Sequence, residues 1–562
     1  MIDLEVTYSV ECFYNKNKYS EMIREIHALP YMTEMKQLKG GVFVLSSYER
    51  VCLRMMVILA LLPILWLVVG LAILKVPAWK ACTIAVIISF IIAIAAYGQG
   101  TIVMGSAALE GVALAIWPIL LVITAAIFTY NLVLYTKAMD IIKQMLTSVS
   151  NDRRIIALLL AWGFGAFMEG MAGFGTAVAI PASMMFALGF DPIKSILACL
   201  IANTVPTPFG SIAIPTTTMA SLTGLDLSQL GIYTAMMNAI LDITCPFLVV
   251  MVIAGGPKAL KGVFGVTLIS GLALLIPEYL ICIAIGPELA VIAPSIIIMG
   301  AIVICAKIFK NDNPEYAMDT KVEPVDFNTG VKAAMPFILI FVFLLITSKL
   351  VPFINTPLAA IQTAVPIYIG AGAKPYTFVW IATPGIMIFL AAFIGGKVQG
   401  ASWSELFNVF GSTLKGLRFT YITIIAVVVT AKLMTYSGMT ADIAKALVYA
   451  TGTGYPAFAP VVGALGAFIT GSATNTNVLF GPLQTAAAAG IPGSSPAWLA
   501  AANSAGAGIG KMLSPQSIAL SIGAVGTVVQ GKESVIMKGI FGYFILYLVI
   551  AGAWCFFGQA LL

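Results

Sequence analysis

Charged side chains are scarce in this chain of 562 residues. Lys, Arg, Asp and Glu together make up 10% of it, whereas a soluble globular protein carries about 25%. Hydrophobic residues make up 60%, the mean hydropathy is +1.01, and many apolar runs of about 20 residues are long enough to cross a bilayer. This composition excludes a soluble protein. It predicts an all-α polytopic membrane protein, because a β-barrel would show alternating strands instead.

Histidine is nearly absent, and cysteine shows no functional pattern. The only histidine, His27, precedes the first apolar run, which excludes a histidine proton relay within the membrane. The eight cysteines lie mostly inside apolar runs without metal-ligand spacing, which indicates small core residues rather than disulfides or a metal site. Because no nucleophile–base set or metal cluster is visible, we predict that the protein is not an enzyme and uses no cofactor.

Nucleotide motifs are missing as well. No GxxxxGK[ST] stretch occurs, and the short GxG strings do not extend to GxGxxG after a strand, so this chain carries no nucleotide-driven motor. The net charge of +6 lies mostly in loops, where it indicates orientation in the membrane. We therefore expect the lipid bilayer, and no nucleic acid, as a partner.

The chain contains a duplicated pair of motifs. GAF-x-x-G-x(10)-P occurs at Gly165–Pro181 and again at Gly466–Pro482, and N-x(6)-G-x(4)-P follows at Asn203–Pro215 and Asn503–Pro515. The 51 glycines and 28 prolines suit interrupted helices. An internal duplication in an apolar chain is typical of secondary transporters, whose substrate lies between two repeats on helices broken by Gly and Pro.

The apolar runs predict about 12 full spans. Two further apolar pieces, 155–190 and 458–497, each contain a short helix, a Gly-rich turn and a second short helix, which predicts two re-entrant hairpins. The predicted spans are 52–75, 78–99, 113–135, 195–224, 231–256, 262–284, 289–307, 333–352, 381–396, 417–436, 498–523 and 536–560.

The chain divides into an N-terminal extension and a transporter domain. Residues 1–50 are polar, mixed in charge and unlike a signal peptide. They are either a cytoplasmic or amphipathic arm, or a segment upstream of a true start at Met55 or Met56. The transporter domain is 51–562, with one repeat at about 111–225 and a second at about 414–525. The likeness of the repeats extends upstream, with one insertion, over the residues Tyr135, Asp140 and Lys143, and Tyr436, Asp442 and Lys445.

The basic residues predict how the chain crosses the membrane. Counting spans from any one basic loop puts the others on the same side, which the excess of Lys and Arg marks as cytoplasmic. The first hairpin then enters from the cytoplasm and the second from outside, so we predict inverted repeats with both termini outside. The loops concerned hold Lys137, Lys143, Arg153 and Arg154; Lys258 and Lys261; Lys307 and Lys310; Lys397 and Lys415; and Lys532 and Lys538.

Polar side chains concentrate at the hairpin turns and the predicted helix breaks. Free N–H groups at the N-termini of short helices bind an anion such as a carboxylate, and freed carbonyls and amides can hold a cation. Alternatively, these side chains only satisfy the broken backbone. The predicted substrate-binding residues are Gly173, Gly175, Thr176, Asn203, Thr204, Thr474, Asn475, Thr476, Asn477, Asn503, Ser504, Lys511, Gln516 and Ser517.

Two charged residues stand out within these regions. Glu169 lies at a predicted hairpin tip, where burial disfavours the charged form, so we predict a proton carrier; the alternative is a structural acid bonded to the hairpin backbone. Lys511 follows three glycines, where we expect the helix to be unwound. It meets the substrate carboxylate or neutralises Glu169, unless it reaches the interface instead.

Other charged and aromatic residues receive more ordinary interpretations. We interpret Asp242, Glu278 and Glu288 as helix-end or loop charges. Trp79 and the other Trp and Tyr residues near the ends of spans are typical of an interfacial aromatic belt or of packing.

Several long motifs resemble the L-lactate permease family. They are GAFMEGMAGFGTAVAIPA, IANTVPTPFGSIAIP, FGSTLK at Phe410–Lys415, FITGSATNTNVLF, and GKMLSPQSIAL at Gly510–Leu520, and the likeness runs from about residue 56 to the C-terminus. The resemblance implies uptake of lactate, in some members glycolate, together with protons. Many relatives have GSDT where this chain has Gly471-Ser472-Ala473-Thr474, so an acid is missing at Ala473. If that acid helps to couple protons elsewhere, coupling here rests on Glu169 or uses another ion.

Together these features predict a secondary active symporter of the cell membrane. The expected substrate is L-lactate or a similar 2-hydroxy monocarboxylate such as glycolate, and the expected driving ion is the proton. Sodium-coupled carboxylate symport is the alternative, because Asn- and Thr-rich turns also coordinate sodium. A passive channel and a membrane-embedded enzyme are more distant alternatives, and a homodimer is left open.

Overall fold

A computed structural model describes residues 47–173, 175–308, 314–318 and 325–561. Of the extension predicted at 1–50, residues 1–46 lie outside the described residues. Residues 47–50 begin the first described helix.

The first half of the described chain consists of helices joined by short connections. The helices are α1 (Ser47–Val68), α2 (Ala78–Ala95), α3 (Thr101–Leu114), α4 (Leu121–Tyr135), α5 (Ala138–Thr147), α6 (Arg153–Ala157), α7 (Gly165–Met171), α8 (Thr176–Ala187), α9 (Pro192–Asn203), α10 (Gly210–Thr223), α11 (Leu227–Ala254) and α12 (Phe264–Ala284). Short π-helical stretches, Ala115–Leu120 and Leu158–Phe164, join α3 to α4 and α6 to α7.

The second half adds twelve helices and one small sheet. The helices are α13 (Ile292–Ile308), α14 (Phe327–Ile346), α15 (Pro352–Ala359), α16 (Pro384–Gln399), α17 (Trp403–Gly416), α18 (Arg418–Ser437), α19 (Met439–Thr451), α20 (Tyr455–Thr470), α21 (Ala473–Ala489), α22 (Pro496–Leu513), α23 (Pro515–Val525) and α24 (Glu533–Gly558). Strands β1 (Gln362–Val365) and β2 (Tyr376–Val379) pair antiparallel, with Gln362 opposite Val379.

The all-α membrane fold is confirmed, with fewer uninterrupted spans than predicted. Ten of the described helical stretches are long and apolar enough to cross a membrane, or eleven if one bent pair counts as a span. That pair is Pro192–Asn203 with Thr207–Thr223, which meet at 65°. The predicted span 498–523 is also divided, because α22 ends at Leu513 and α23 begins at Pro515.

The helices that carry the duplicated motifs occupy the centre of the molecule. The stretch Arg153–Met171 is completely buried, whereas α2 and α24 leave most of their apolar surface exposed. Arg153–Met171 has 19 residues, more than the short arm predicted for a re-entrant hairpin. By length and composition it could cross a bilayer, so the re-entrant arrangement stays a prediction.

Capping residues determine where the motif helices begin. Asp191 accepts a hydrogen bond from Lys194 N at the start of α9, and Ser495 accepts one from Trp498 N at the start of α22. Each cap is followed by Pro at the first helical position, where the missing N–H costs nothing. The two copies therefore begin their second motif helix in the same way.

The segments upstream of the motifs also match between the copies. Asp140 and Lys143 form an ion pair of 3.5 Å on α5, and Asp442 and Lys445 form one of 3.6 Å on α19. The residues that precede these helices, Lys137 and Gly438, both have left-handed φ angles. These correspondences support the predicted duplication. The repeat boundaries and the inverted orientation stay predictions.

The predicted unwinding around the glycines before Lys511 is wrong. α22 is continuous through Gly506, Gly508 and Gly510, because the glycines serve packing between helices. A Cβ at Gly506 would lie 2.0 Å from Pro460 O, and one at Gly510 would lie 2.0 Å from Ala464 O. The small residues allow α20 and α22 to approach backbone to backbone, as in other membrane helix pairs.

Candidate functional site

The Gly-rich turns of both motif copies and both helix breaks border a single cavity of about 310 Å³. This volume is ample for a carboxylic acid of a few heavy atoms with some water. The predicted site residues that line the cavity are Glu169, Gly173, Gly175, Thr474, Asn475, Lys511, Gln516 and Ser517. The site therefore draws on both copies of the duplicated motif.

A buried ion pair joins the two copies at this cavity. Lys511 Nζ donates to Glu169 Oε1 at 2.6 Å, across 342 residues of sequence. The two side chains are only 9% and 3% exposed. Of the roles predicted for Lys511, the geometry therefore shows neutralisation of Glu169.

Asn203 completes this charged centre from the end of α9. With its amide nitrogen towards Glu169, it donates to Oε2 at 2.9 Å and accepts from Lys511 Nζ at 3.3 Å. Gly210 lies against the same carboxylate, since a Cβ there would be 2.7 Å from Oε1. Asn203 thus supports the pair from behind the cavity wall.

The turn of the first copy is built on glycine and on the adjacent helix break. Gly173 and Gly175 have φ angles of +59° and +87°, which L side chains rarely adopt. Thr176 Oγ1 donates to Gly173 O at 2.7 Å, so Thr176 holds the turn. Ser211 Oγ donates to Ala172 O at 2.8 Å, which fixes the turn against the break before α10.

That break holds the backbone in an unusual conformation. Ser211, Ile212 and Ala213 have φ angles of +46°, +60° and +57°. A left-handed non-glycine residue costs about 1–3 kcal/mol and persists only where its surroundings enforce it. Such strain concentrates at ligand sites and moving segments, and here it borders the cavity through Ser211.

The turn of the second copy uses hydroxyl groups instead of a second glycine. Ser472 Oγ accepts from Asn475 N at 3.2 Å and so caps α21. Thr470 Oγ1 donates to Ser472 O at 3.0 Å, and Thr476 Oγ1 donates to the same carbonyl at 2.8 Å. Thr476 therefore satisfies the backbone rather than facing the cavity. Asn475 Oδ1 is buried and has no hydrogen-bond partner in the described part of the chain.

Other predicted residues form a network behind the cavity. Asn477 Nδ2 donates to Pro215 O at 3.1 Å and to Ser504 Oγ at 2.8 Å. Asn503 Nδ2 donates to Asn477 Oδ1 at 3.0 Å. Thr204 Oγ1 bonds to Leu200 O within its own helix turn. The bond from Asn477 to Pro215 joins the two copies, and none of these four side chains lines the cavity.

Helix N-termini add positive potential to the same space. α21 begins at Ala473 and α23 at Pro515, and Ala473, Thr474 and Gln516 line the cavity. First-turn N–H groups have no partner within their own helix and carry the positive end of its dipole. An anion in the cavity would meet these groups as well as Lys511.

The sequence analysis missed the apolar wall of the cavity. Trp79 of α2 and Phe419 of α18 stack with ring centroids 5.5 Å apart, and Ile424 adds to this wall. The interpretation of Trp79 as a belt or packing residue fits its stacking on Phe419 but did not include its place in the cavity wall. The only local feature of the sequence that could have indicated this role is the position of Trp79 two residues after Pro77, at the start of a helix.

Glu110 was also missed and pairs with a residue of the second half. Lys432 Nζ and Tyr436 Oη donate to Glu110 Oε1 at 2.6 Å and 2.7 Å. All three lie where α3 packs on α18, away from the cavity lining. This pair joins α3 to α18, the helix that contributes Phe419 to the cavity wall.

The interpretation of Asp242 and Glu278 as helix-end or loop charges is wrong. Both lie well inside long helices, α11 and α12, and both are buried. Both residues lie within the predicted spans 231–256 and 262–284, and a charge inside an apolar run is itself a signal of burial in the protein interior.

These features define the class of protein. Apolar helices long enough to span a bilayer surround a polar, charged cavity built from two copies of one motif, which is the arrangement of a membrane transporter. The protein is a multi-pass transporter of the cell membrane and not an enzyme.

Comparison with known families identifies the particular group. A family model described as L-lactate permease matches residues 56–562, and this chain belongs to that family. An L-lactate permease of Streptococcus iniae is 44% identical over 79% of this chain and 93% of its own length. A glycolate permease of Escherichia coli (strain K12) is 32% identical over 86% and 91%. An L-lactate permease of Bacillus subtilis (strain 168) is 32% identical over 84% and 91%.

Two solved transporter structures show a distant likeness. The YdaH transporter of Alcanivorax borkumensis has a TM-score of 0.44 and 14% identity over 81% of this chain and 86% of its own. MtrF of Neisseria gonorrhoeae has a TM-score of 0.42 and 14% identity over 90% and 94%. These values are too low to support a conclusion about mechanism.

Proposed function

We propose that this protein imports L-lactate, or a similar small 2-hydroxy monocarboxylate such as glycolate, together with protons. The observation that supports this most is the Glu169–Lys511 pair, buried at a cavity between the two motif copies. The names of the relatives supply the substrate class. The buried charge arrangement supports coupling to protons.

The cavity offers one group for each part of such a substrate. The carboxylate binds Lys511 Nζ and the first-turn N–H groups of α21 and α23. The 2-hydroxyl donates to Asn475 Oδ1, which otherwise lacks a partner among the described residues. The methyl group of lactate, absent in glycolate, packs against Trp79 and Phe419.

Coupling follows from an exchange of partners at Lys511. The incoming carboxylate replaces Glu169 at Nζ, and Glu169, now without its ammonium partner, takes a proton from water. The empty cavity holds one carboxylate and one ammonium. The occupied cavity holds a neutral Glu169, the ammonium and the substrate carboxylate, so its net charge is unchanged.

This balance matters because an uncompensated charge is costly to move. Each elementary charge that crosses the membrane potential is worth about 2.3 kcal/mol per 100 mV. Import of an anion alone into a negative cell interior works against that potential. One anion carried with one proton avoids it, so the proton gradient can drive accumulation.

The test is uptake of labelled L-lactate into proteoliposomes with an imposed proton gradient and no sodium. We expect wild type to accumulate lactate above its outside concentration, and Glu169→Gln to bind lactate without accumulating it. Glu533→Gln is the matched control, because Glu533 is exposed at the start of α24.

Every other outcome of the uptake assay would contradict part of the proposal. Accumulation by Glu169→Gln would remove the coupling role from Glu169 and leave lactate transport standing. If wild type accumulates lactate only after sodium is added, sodium-coupled symport replaces the proposal. Equilibration without accumulation would indicate a passive channel. The homodimer stays an expectation of the sequence.

A further inference from the structure

Two acidic residues lie in the helical interior, outside the cavity lining. Asp242 stands in the middle of α11 and Glu278 in the last third of α12. The residues are 1% and 0% exposed. None of their four carboxyl oxygens has a hydrogen-bond partner within the described ranges.

Packing of the two helices brings these carboxyl groups together. A Cβ at Gly271 would lie 2.9 Å from Asp242 O, and one at Gly231 would lie 3.6 Å from Cys282 Sγ. These contacts make α11 and α12 antiparallel neighbours. Because side chains lean towards the N-terminus of their own helix, Asp242 and Glu278 lean towards each other, and their charges interact.

The groups around the pair are polar but include no described cation that bonds to it. Cys245 lies one turn from Asp242 and donates to Ile201 O at 3.6 Å. Tyr547 of α24 is fully buried and interacts electrostatically with Asp242 and Cys245. On its own helix, Glu278 faces Cys282, which is one turn further along. Glu288 lies beyond Cys282 and interacts with Lys349.

An ionised carboxylate is not stable in such a place. Burying an ion without a counter-ion or hydrogen bonds costs far more than binding a proton, and two adjacent carboxylates repel each other as well. A metal ion would need more ligands, and no group of three or more His, Cys, Asp or Glu that could hold one occurs among the described residues. The proton is therefore the ligand that this chemistry fits.

We propose that Asp242 and Glu278 form a second proton-binding site, separate from the Glu169–Lys511 pair. The site goes beyond the proposed function, since it depends on neither lactate nor Glu169. It holds protons at neutral pH and keeps the interface between α11 and α12 uncharged.

The pair also lies close to the charged centre formed by Glu169, Lys511 and Asn203. Asn238 Nδ2, one turn before Asp242, donates to Val205 O at 3.0 Å, and Cys245 binds Ile201 O. Asp242 thus stands between the two contacts that hold the end of α9 and its break. Asn203 at that end bonds to Glu169 and Lys511. Loss of the protons would place charge directly behind this contact.

Infrared spectroscopy of the full chain in lipid nanodiscs tests the site directly. Protonated carboxylic acids give a carbonyl stretching band that ionised carboxylates lack. At neutral pH we expect this band in wild type, with part of its intensity lost in Asp242→Asn and in Glu278→Gln. Glu533→Gln, the exposed control, should leave it unchanged. Equal bands in wild type and both amide variants would overturn the proposal.

Thermal stability against pH gives a second, independent readout. A carboxyl group whose pKa is higher in the folded protein than in the unfolded protein keeps its proton only in the folded state. Between these two pKa values, the folding equilibrium constant falls about tenfold for each unit by which the pH rises. Wild type should therefore lose stability towards alkaline pH, and the double amide variant should lose less. Identical pH profiles would overturn the proposal. So would failure of both amide variants to fold, because an amide matches a neutral acid in shape and charge.

This outcome is separable from that of the lactate proposal. Glu169→Gln should keep the part of the band that Asp242 and Glu278 supply, whether or not it accumulates lactate.

Discussion

Removing one partner of the buried Glu169–Lys511 ion pair should destabilise the protein far more than removing both. In Lys511→Met, Glu169 keeps the amide of Asn203 but loses an ammonium at 2.6 Å in a site where it is 3% exposed. Loss of one partner from such a pair costs about 3–5 kcal/mol, whereas replacing both is often nearly neutral. The double variant Glu169→Gln, Lys511→Met should therefore recover most of that loss.

The measurement is equilibrium unfolding in mixed micelles for wild type, both single variants and the double variant. Lys445→Met is the matched control, since Lys445 is exposed and its ammonium lies 3.6 Å from Asp442; a pair with a solvent-exposed cation contributes about 0–1 kcal/mol. If the double variant loses the sum of the two single losses, the two groups are not coupled. The reasoning about partner exchange at Lys511 would then fail.

Three further predictions concern single contacts. Asn475→Ala should weaken binding of L-lactate about 2- to 12-fold, the value of one hydrogen bond, and leave propionate, which lacks the hydroxyl, unchanged in a competition assay; an equal loss for both acids would contradict the contact. The backbone N–H and then the hydroxyl of Ser402 hold the pKa of Glu405 below its ordinary value. The stability that this capping interaction contributes is therefore present above the ordinary pKa and is lost as the pH falls through the lowered pKa. Thermal melts should show that Glu405→Gln removes this loss of stability at acid pH, and an unchanged pH profile would contradict the prediction. Gly506→Ala should destabilise the fold, because its Cβ would meet a backbone carbonyl, whereas Gly523→Ala has open space; equal melting temperatures would contradict the packing of α20 on α22.

Local patterns in the sequence were sufficient for the class of protein and for the parts of the site. Apolar runs predicted the membrane helices, and the repeated GAF and Asn–Gly–Pro motifs predicted where helices turn or break. Glu169 and Lys511 stood out because a charge in an apolar segment needs a reason to be there. These features depend on neighbours in the chain, so they can be recognised without a structure.

Partnerships between distant residues could not be predicted in the same way. Glu169 and Lys511 were separate candidates with open roles, and only the tertiary fold brings their side chains together as one ion pair. The same holds for Glu110 with Lys432. Lys511 was expected on an unwound helix, but contact between α20 and α22 keeps that helix intact.

What the sequence by itself determined was the membrane class, the duplication and the chemical types present at the turns. The tertiary structure alone decided which of those residues face the cavity, as Asn475 does, and which satisfy the backbone behind it, as Thr476 does. It also decided that Asp242 and Glu278 are buried without partners. The physical reason is that burial and pairing arise from helices packed across hundreds of residues, whereas hydropathy and turn propensity are properties of a few adjacent ones.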